Sequence, residues 1–125
     1  MRVLLDTNVA FWLVTANRGA VTPTAVAALQ DPGTTIHLSA VVWWEIAIKR
    51  SLGKLEIGDD WAGALHELGF APLAILPGHA AAVEELPWHH RDPFDRLLVA
   101  QARAEDLALV TADHRLAGYG VPVVW

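Results

Sequence analysis

Apolar and polar positions along the chain predict strands and helices in alternation. Continuous apolar runs at 3–5 and 107–110 predict strands that are buried on both faces, as in a parallel sheet. The other predicted strands span 34–38, 70–76 and 121–125. Apolar residues recurring at helical spacing predict helices over 9–14, 23–30, 40–48, 59–68, 77–86 and 93–104. This order implies an α/β fold, with about five parallel strands and helices on both faces.

Two predicted strands are followed within three residues by carboxylates. Asp6 follows the first strand, in the segment Asp6-Thr7-Asn8, and Asp113 follows the strand at 107–110. In open α/β sheets, ligands bind at the carboxyl ends of the strands. These acids are therefore candidate site residues. For Asp6 the alternative is a purely structural role, because Asp and Thr are both good N-cap residues for a helix.

Glu45 is the only polar side chain between Ala40 and Ile48. A carboxylate in apolar surroundings is destabilised unless a cation or several donors compensate it. We therefore expect a compensating group, either a cation or several donors, opposite Glu45. The alternative is a helix with two unequal faces, on which Glu45 looks to solvent or pairs with Lys49 at i+4.

The helix at 93–104 begins with two acids. Asp92 is the predicted N-cap, and Asp95 occupies the third helical position, where a carboxylate favours the positive end of the helix. Asp95 also shares a face with Leu98 and Val99, so we expect it to point inward over the sheet edge. Arg96 is expected to turn away from that face.

Composition restricts the class of protein. A length of 125 residues predicts one domain, 1–125, with its own hydrophobic core. The chain has no cysteine, no apolar run of the ~20 residues that a membrane span needs, and no secretory signal pattern. We therefore expect a cytoplasmic protein that does not enter membranes. His89 and His90 are predicted to be polar loop residues, because adjacent histidines seldom face one ion together.

We expect the four acids to gather at one edge of the sheet: Asp6, Glu45, Asp95 and Asp113. Carboxylates this close cannot all stay ionised without cations, and hard oxygen ligands suit Mg²⁺ or Mn²⁺. Such ions can activate a water molecule for hydrolysis of a phosphodiester. The net charge of −5 argues against a nucleic-acid partner. Setting the four acids aside, however, leaves ten acidic against nine basic residues, which is compatible with contact to RNA.

Four sequence blocks together resemble the PIN-domain ribonucleases of the VapC toxin type. The blocks are Leu4-Leu5-Asp6-Thr7-Asn8, Glu45 within 39–49, Asp95 within 92–102, and Thr111-Ala112-Asp113, and they follow the family's order along essentially the whole chain. The resemblance implies an endoribonuclease that depends on Mg²⁺ or Mn²⁺, usually the toxin paired with a VapB-type antitoxin and often a homodimer. It assigns the four acids to metal binding, with Asn8 and Thr111 as supporting polar groups. Asp92 is a spare acid that could assist or replace Asp95.

Two other function classes share parts of this pattern. A phosphoacceptor receiver domain also has Asp at strand ends, but it would need paired acids after the first strand and a Lys near the end of the last. Here Thr7 follows Asp6, and no Lys occurs after Lys54. The second alternative is a PIN-like module that only binds or scaffolds. Metal-dependent cleavage of total RNA would distinguish both from a nuclease.

Six tryptophans are many for a chain of this length. Trp12, Trp43 and Trp44 lie near the predicted site helices and are candidates for an apolar groove that binds an antitoxin segment. In this hypothesis an Arg of the antitoxin inserts among the four acids, because its planar fork pairs with carboxylates. The alternative is that these tryptophans belong to the ordinary core.

Overall fold

A parallel five-stranded sheet lies at the centre of the molecule. The computed structural model describes all 125 residues, Met1–Trp125. The strands are β1 (Arg2–Leu5), β2 (Thr35–Ser39), β3 (Ala71–Leu73), β4 (Ala108–Val110) and β5 (Val123–Val124). Their order across the sheet is β3-β2-β1-β4-β5, and every neighbouring pair is parallel. The predicted strand number and direction are confirmed.

Six α-helices connect the strands and cover both faces of the sheet. They are α1 (Thr7–Val14), α2 (Pro23–Gln30), α3 (Ala40–Ser51), α4 (Trp61–Glu67), α5 (Pro77–Ala82) and α6 (Pro93–Ala104). Short 3₁₀ helices span Arg18–Ala20, Val83–Glu85 and His114–Tyr119. None of the helices is both long and apolar enough to cross a bilayer.

The hydrophobic core is divided between the two faces of the sheet, because successive strand residues point to opposite sides. Leu4 and Leu109 face one cluster, which α5, α6 and the 3₁₀ helix at His114–Tyr119 complete. Val3, Leu5 and Val110 face the other, which α1 to α4 cover. All five of these strand side chains are fully buried, and burying each contributes about 1.5–3 kcal/mol. The sheet that carries the strand-end acids is thus rigidly packed.

Side chains cap the helices as the sequence predicts. Ser39 caps α3 by accepting a hydrogen bond from the Val41 backbone at 3.0 Å. Asp92 caps α6 by accepting from the backbones of Phe94 at 2.8 Å and Asp95 at 3.1 Å. These caps fix where α3 and α6 begin and thereby which turn of each helix reaches the sheet edge.

The outer elements are shorter than the sequence predicts. β3 covers only Ala71–Leu73 of the predicted 70–76, and β5 covers only Val123–Val124 of 121–125. Both lie at edges of the sheet, where each pairs with one neighbour, and Pro72 has no N–H to donate within β3. The predicted helix 77–86 divides into α5 and the 3₁₀ helix Val83–Glu85.

Candidate functional site

The site forms where the strand order reverses. From β1 the chain proceeds outward to β2 and β3, then returns to place β4 on the other side of β1. The backbone N–H of Asp6 donates to the carbonyl of Val110 at 3.0 Å, so the residues that follow β1 and β4 are neighbours. Ligands bind at such switch points in open α/β sheets. The expected meeting of the first and last acidic blocks at one edge is confirmed.

Asp6 serves as both a cap and a member of the acid cluster. Its Oδ1 accepts a hydrogen bond from the backbone of Asn8 at 2.8 Å, which caps α1, and its Oδ2 accepts one from the Thr111 hydroxyl. Asp6 is buried, and burial raises the pKa of its carboxyl, assisted by repulsion from Glu45 and Asp113 and opposed by the two hydrogen bonds. The two interpretations of Asp6 are therefore compatible.

Glu45 is buried on α3 and pairs with Lys49. Only 4% of Glu45 is exposed, and its Oε2 accepts a hydrogen bond from the Lys49 ammonium. The i+4 pairing considered as the alternative is present, but the solvent-facing position is not. Glu45 Oε1 is buried without any hydrogen-bond partner. A buried carboxylate oxygen with a free lone pair is an available ligand for a cation.

Asp95 lies close to His90 and Asp113, and the charges of the other acids also act on its carboxyl. Burial raises the pKa of its carboxyl to about 8, and repulsion from Asp6, Asp92, Glu45 and Asp113 adds to that effect. The pKa shift thus reports four neighbouring negative charges. The prediction that Asp95 points inward over the sheet edge is confirmed.

Asp113 has the opposite electrostatic environment. Arg115 donates to it through Nε and Nη2 at 3.0 and 2.8 Å. These hydrogen bonds, with those from the Arg115 backbone and from His90, hold the pKa of Asp113 down to about 2. The backbone N–H of Asp113 donates to the Thr111 hydroxyl at 3.0 Å. Thr111 therefore links Asp6 to Asp113 and supports the site as expected.

His90 is the residue that sequence reasoning missed. Its Nε2 lies 3.0 Å from Asp113 Oδ2 and 3.2 Å from Asp95 Oδ2, and ligand atoms of the three residues all lie within 4.8 Å of one another. His89 instead stacks edge-on against Tyr119, with ring centroids 5.0 Å apart. Adjacent histidines do point in different directions, as argued, but one of them points into the acid cluster.

The other two predicted site residues take part mainly in helix-capping contacts, Asn8 through its backbone and Asp92 through its carboxylate. Asn8 is exposed, and its backbone N–H rather than its side chain contacts Asp6. Asp92 caps α6, and its charge raises the pKa of Asp95. Asp92 is thus a neighbour of the cluster whose carboxylate is already engaged by two backbone N–H groups.

The donor set fits a hard divalent cation. Glu45 Oε1 has no partner, and burial together with repulsion from neighbouring acids raises the pKa of both Asp6 and Asp95. A divalent cation would relieve that repulsion and supply the missing partner of Glu45, and carboxylate oxygens are the ligands that Mg²⁺ and Mn²⁺ prefer.

The three candidate tryptophans differ in their environments. Trp12 packs against Trp125 with ring centroids 6.0 Å apart, and Trp43 packs against Trp61 at 6.1 Å, beside the core cluster. Trp44 is 47% exposed next to Glu45 and stacks edge-on against Phe94. The core interpretation fits Trp12 and Trp43, whereas Trp44 presents an aromatic surface at the site.

Comparisons with known proteins agree with the fold and the sequence blocks. The family model for the PIN domain matches residues 3–121. Ribonuclease VapC22 of Mycobacterium tuberculosis is 30% identical over 129 residues, covering 98% of each chain.

Solved structures show the same fold at lower identity. VapBC2 from Rickettsia felis, bound to a DNA fragment from its promoter, has a chain with a TM-score of 0.70 at 17% identity, with 98% of this chain and 97% of that chain covered. FitAcB from Neisseria gonorrhoeae has a TM-score of 0.64 at 22% identity, with 98% of this chain and 96% of that chain covered. Since the family model spans nearly the whole sequence and the tuberculosis relative aligns from end to end, the chain belongs to the PIN-domain family and is a ribonuclease of the VapC type.

Proposed function

We propose that this protein is an endoribonuclease that requires Mg²⁺ or Mn²⁺, held by the carboxylates of Asp6, Glu45, Asp95 and Asp113. The observation that carries this proposal is Glu45 Oε1, a buried carboxylate oxygen without a partner beside acids that repel one another. A site of this kind is poorly compensated without a cation. The proposed substrate is cellular RNA, which would place the enzyme in the cytoplasm.

The side chains of the site have separate tasks in this reaction. Divalent ions bound here would activate a water molecule and stabilise the charge that develops on the phosphate oxygens. Thr111 and the Asn8 backbone hold Asp6 in one orientation, and Arg115 holds Asp113. Lys49 is 39% exposed and Arg115 is 60% exposed, so both cations are accessible at the rim to contact an RNA phosphate.

We also propose that the protein is the toxin of a VapBC-type pair, inhibited by a VapB-type antitoxin, and that it forms a homodimer. The solved relatives include VapBC and FitAB toxin–antitoxin assemblies. The acid cluster offers an inhibitor a target for a cationic side chain, and exposed Trp44 offers it an apolar contact. Co-expression with the gene product of a small neighbouring reading frame should restore growth that the toxin alone arrests, and light scattering would measure the dimer.

The decisive experiment for the nuclease is RNA cleavage by the wild type and by Asp6→Asn. Asn keeps one acceptor oxygen for the Asn8 backbone N–H, and its amide can donate to the Thr111 hydroxyl, but one charge is removed from the proposed metal site. We expect cleavage in Mg²⁺ or Mn²⁺, none in chelator, and at least a hundredfold loss in Asp6→Asn, following the ~10–100-fold or greater effects of disturbing metal sites.

The matched control is Glu67→Gln, which also neutralises one acid but lies exposed on α4. It should cleave RNA like the wild type. Thermal melting in chelator verifies folding, and Asp6→Asn should be at least as stable as the wild type because repulsion is relieved. Undiminished metal-dependent cleavage by Asp6→Asn would refute the assignment of the site.

A further inference from the structure

His90 is held in place by contacts that lie outside the acid cluster. Its backbone N–H donates to the Tyr119 hydroxyl at 2.9 Å. Arg96, only 2% exposed, donates to the carbonyls of Val83, Leu86 and Pro87 at 3.1, 3.1 and 2.9 Å. The loop that carries His90 is therefore fastened to α6 and to the 3₁₀ helix at His114–Tyr119. Its position does not depend on the carboxylates that it contacts.

The ring of His90 is also oriented by the backbone. The N–H of Asp92 donates to His90 Nδ1 at 3.0 Å. A backbone N–H can only donate, so Nδ1 must present its lone pair and the ring proton lies on Nε2. Nε2 then donates to Asp113 at 3.0 Å, with Asp95 at 3.2 Å. This atom has no free lone pair for a metal ion.

We propose that His90 is a positioning residue of the nuclease site: its Nε2–H donates to Asp113, lies 3.2 Å from Asp95 Oδ2 and fixes the separation of the two carboxylates, without itself binding the metal. The inference rests on the proposed function, because the two carboxylates are proposed ligands. Two carboxylates that repel one another rotate apart unless a donor lies between them. Metal ligands commonly need such outer partners to keep their orientation. The chemistry assigned to His90 is donation of one hydrogen bond and no proton transfer.

The alternative is that His90 binds the metal directly through a ring nitrogen, which requires the ring proton to lie on the other nitrogen. Coordination through Nε2 requires moving the proton to Nδ1, which would set two donors against each other at the Asp92 backbone. It would also shift the preference of the site from Mg²⁺ towards softer ions. The tautomer therefore separates the two roles.

Nitrogen-15 NMR of histidine-labelled wild-type protein tests the tautomer directly. Signals of His90 are assigned by their loss in His90→Gln. In chelator we expect a protonated Nε2 and a bare Nδ1, and the same pattern after Mg²⁺ is added. A proton on Nδ1, or a metal-bound Nε2 after addition of Mg²⁺, would overturn the proposal.

Mn²⁺ binding by calorimetry tests the positioning role independently of activity. His90→Leu removes the donor and should weaken Mn²⁺ binding by about tenfold or more, whereas His90→Gln should recover part of the loss because its amide can donate from a similar position. The control is His66→Leu, which removes an exposed imidazole on α4. Equal affinities for His90→Leu and His66→Leu would overturn the proposal. If His90→Leu does not fold, the NMR result still decides.

The failures of the two proposals are distinguishable. A wild type that binds no Mn²⁺ contradicts the proposed metal site and, with it, this inference. A wild type that binds Mn²⁺ and cleaves RNA, combined with an unaffected His90→Leu, contradicts only the role of His90.

Discussion

Without metal, the stability of this protein should fall as the pH rises through the neutral range, and Asp95 should account for most of the fall. The pKa of Asp95 is raised from 3.8 to about 8, first by burial and then by the neighbouring acids. Between these values the folded state keeps a proton that the unfolded state has lost. Stability from this group is therefore fully present below pH 4 and is lost as the pH rises towards 8.

The expected size of this fall in stability follows from the linkage between proton binding and folding. One proton difference changes the unfolding free energy by about 1.4 kcal/mol per pH unit, so the interval from pH 5 to 7 is worth at most roughly 3 kcal/mol. For a chain of this length that corresponds to a fall in Tm on the order of 10 °C. The raised pKa of Asp6 acts in the same direction.

Two other groups affect the dependence of stability on pH in different ways. The lowered pKa of Asp113 provides stability that is lost only as the pH falls towards 2, below the interval of interest. Burial lowers the pKa of His37, which makes the protein less stable as the pH falls below 6.5 and thus opposes the effect of Asp95. The comparison that isolates Asp95 is therefore the wild type against Asp95→Asn across the same pH range.

The assay is thermal melting in chelator at half-unit steps from pH 5 to 8. Asp95→Asn should melt with a much flatter dependence on pH, and Glu67→Gln, an exposed control on α4, should follow the wild type. Saturating Mg²⁺ should also flatten the wild-type curve, because the ion favours ionised carboxylates. Equal slopes for the wild type and Asp95→Asn in chelator would refute the electrostatic account of the cluster.

Three further substitutions test the division of tasks around the site. Asp92→Ala removes the cap of α6 and should lower the unfolding free energy by about 1 kcal/mol, measured with urea, while leaving substantial RNA cleavage. Asp95→Asn, by contrast, should abolish RNA cleavage. The reverse result would mean that the roles of the two acids are exchanged. Lys49→Met leaves Glu45 without its cation, so the Tm should fall further in chelator than in Mg²⁺. An equal fall in Tm under both conditions would contradict the pairing. Arg96→Leu removes the buried donor of three carbonyls, one buried and two partly buried, and should lower the unfolding free energy by about 3 kcal/mol or more; a loss under about 1 kcal/mol would show that water replaces the guanidinium.

The acids at strand ends could be predicted because a local rule fixes them. Asp6 and Asp113 each follow a strand of apolar residues, and parallel strands end at a common edge. For Glu45 the structure shows the burial that the apolar surroundings predict together with the i+4 pairing with Lys49 that was the alternative. The sequence could not show that the pair leaves Glu45 Oε1 free, because that depends on how α3 packs at the edge.

Arg96 and His90 could not be predicted because contacts distant in sequence determine both. Helical spacing turns Arg96 away from the face of Asp95 and gives no indication of burial, yet Arg96 is only 2% exposed. The carbonyls of the segment Val83–Leu86 and of Pro87 lie on that side and accept its hydrogen bonds. His90 is oriented partly by Tyr119, 29 residues further along the chain. Loops without periodic patterns give no signal for such contacts.

The arrangement of donors explains how four acids remain together in a folded chain before a metal ion binds. The chain supplies Lys49 for Glu45, Arg115 for Asp113 and the uncharged Thr111 hydroxyl for Asp6. Asp95 contacts only the imidazole of His90, which it shares with Asp113, and its pKa is raised furthest, to about 8. A cation bound at the proposed site would displace or supplement the chain's own donors, so its affinity would be the difference between two sets of electrostatic contacts. On that proposal Asp95, with the weakest internal compensation, would gain most from the bound cation.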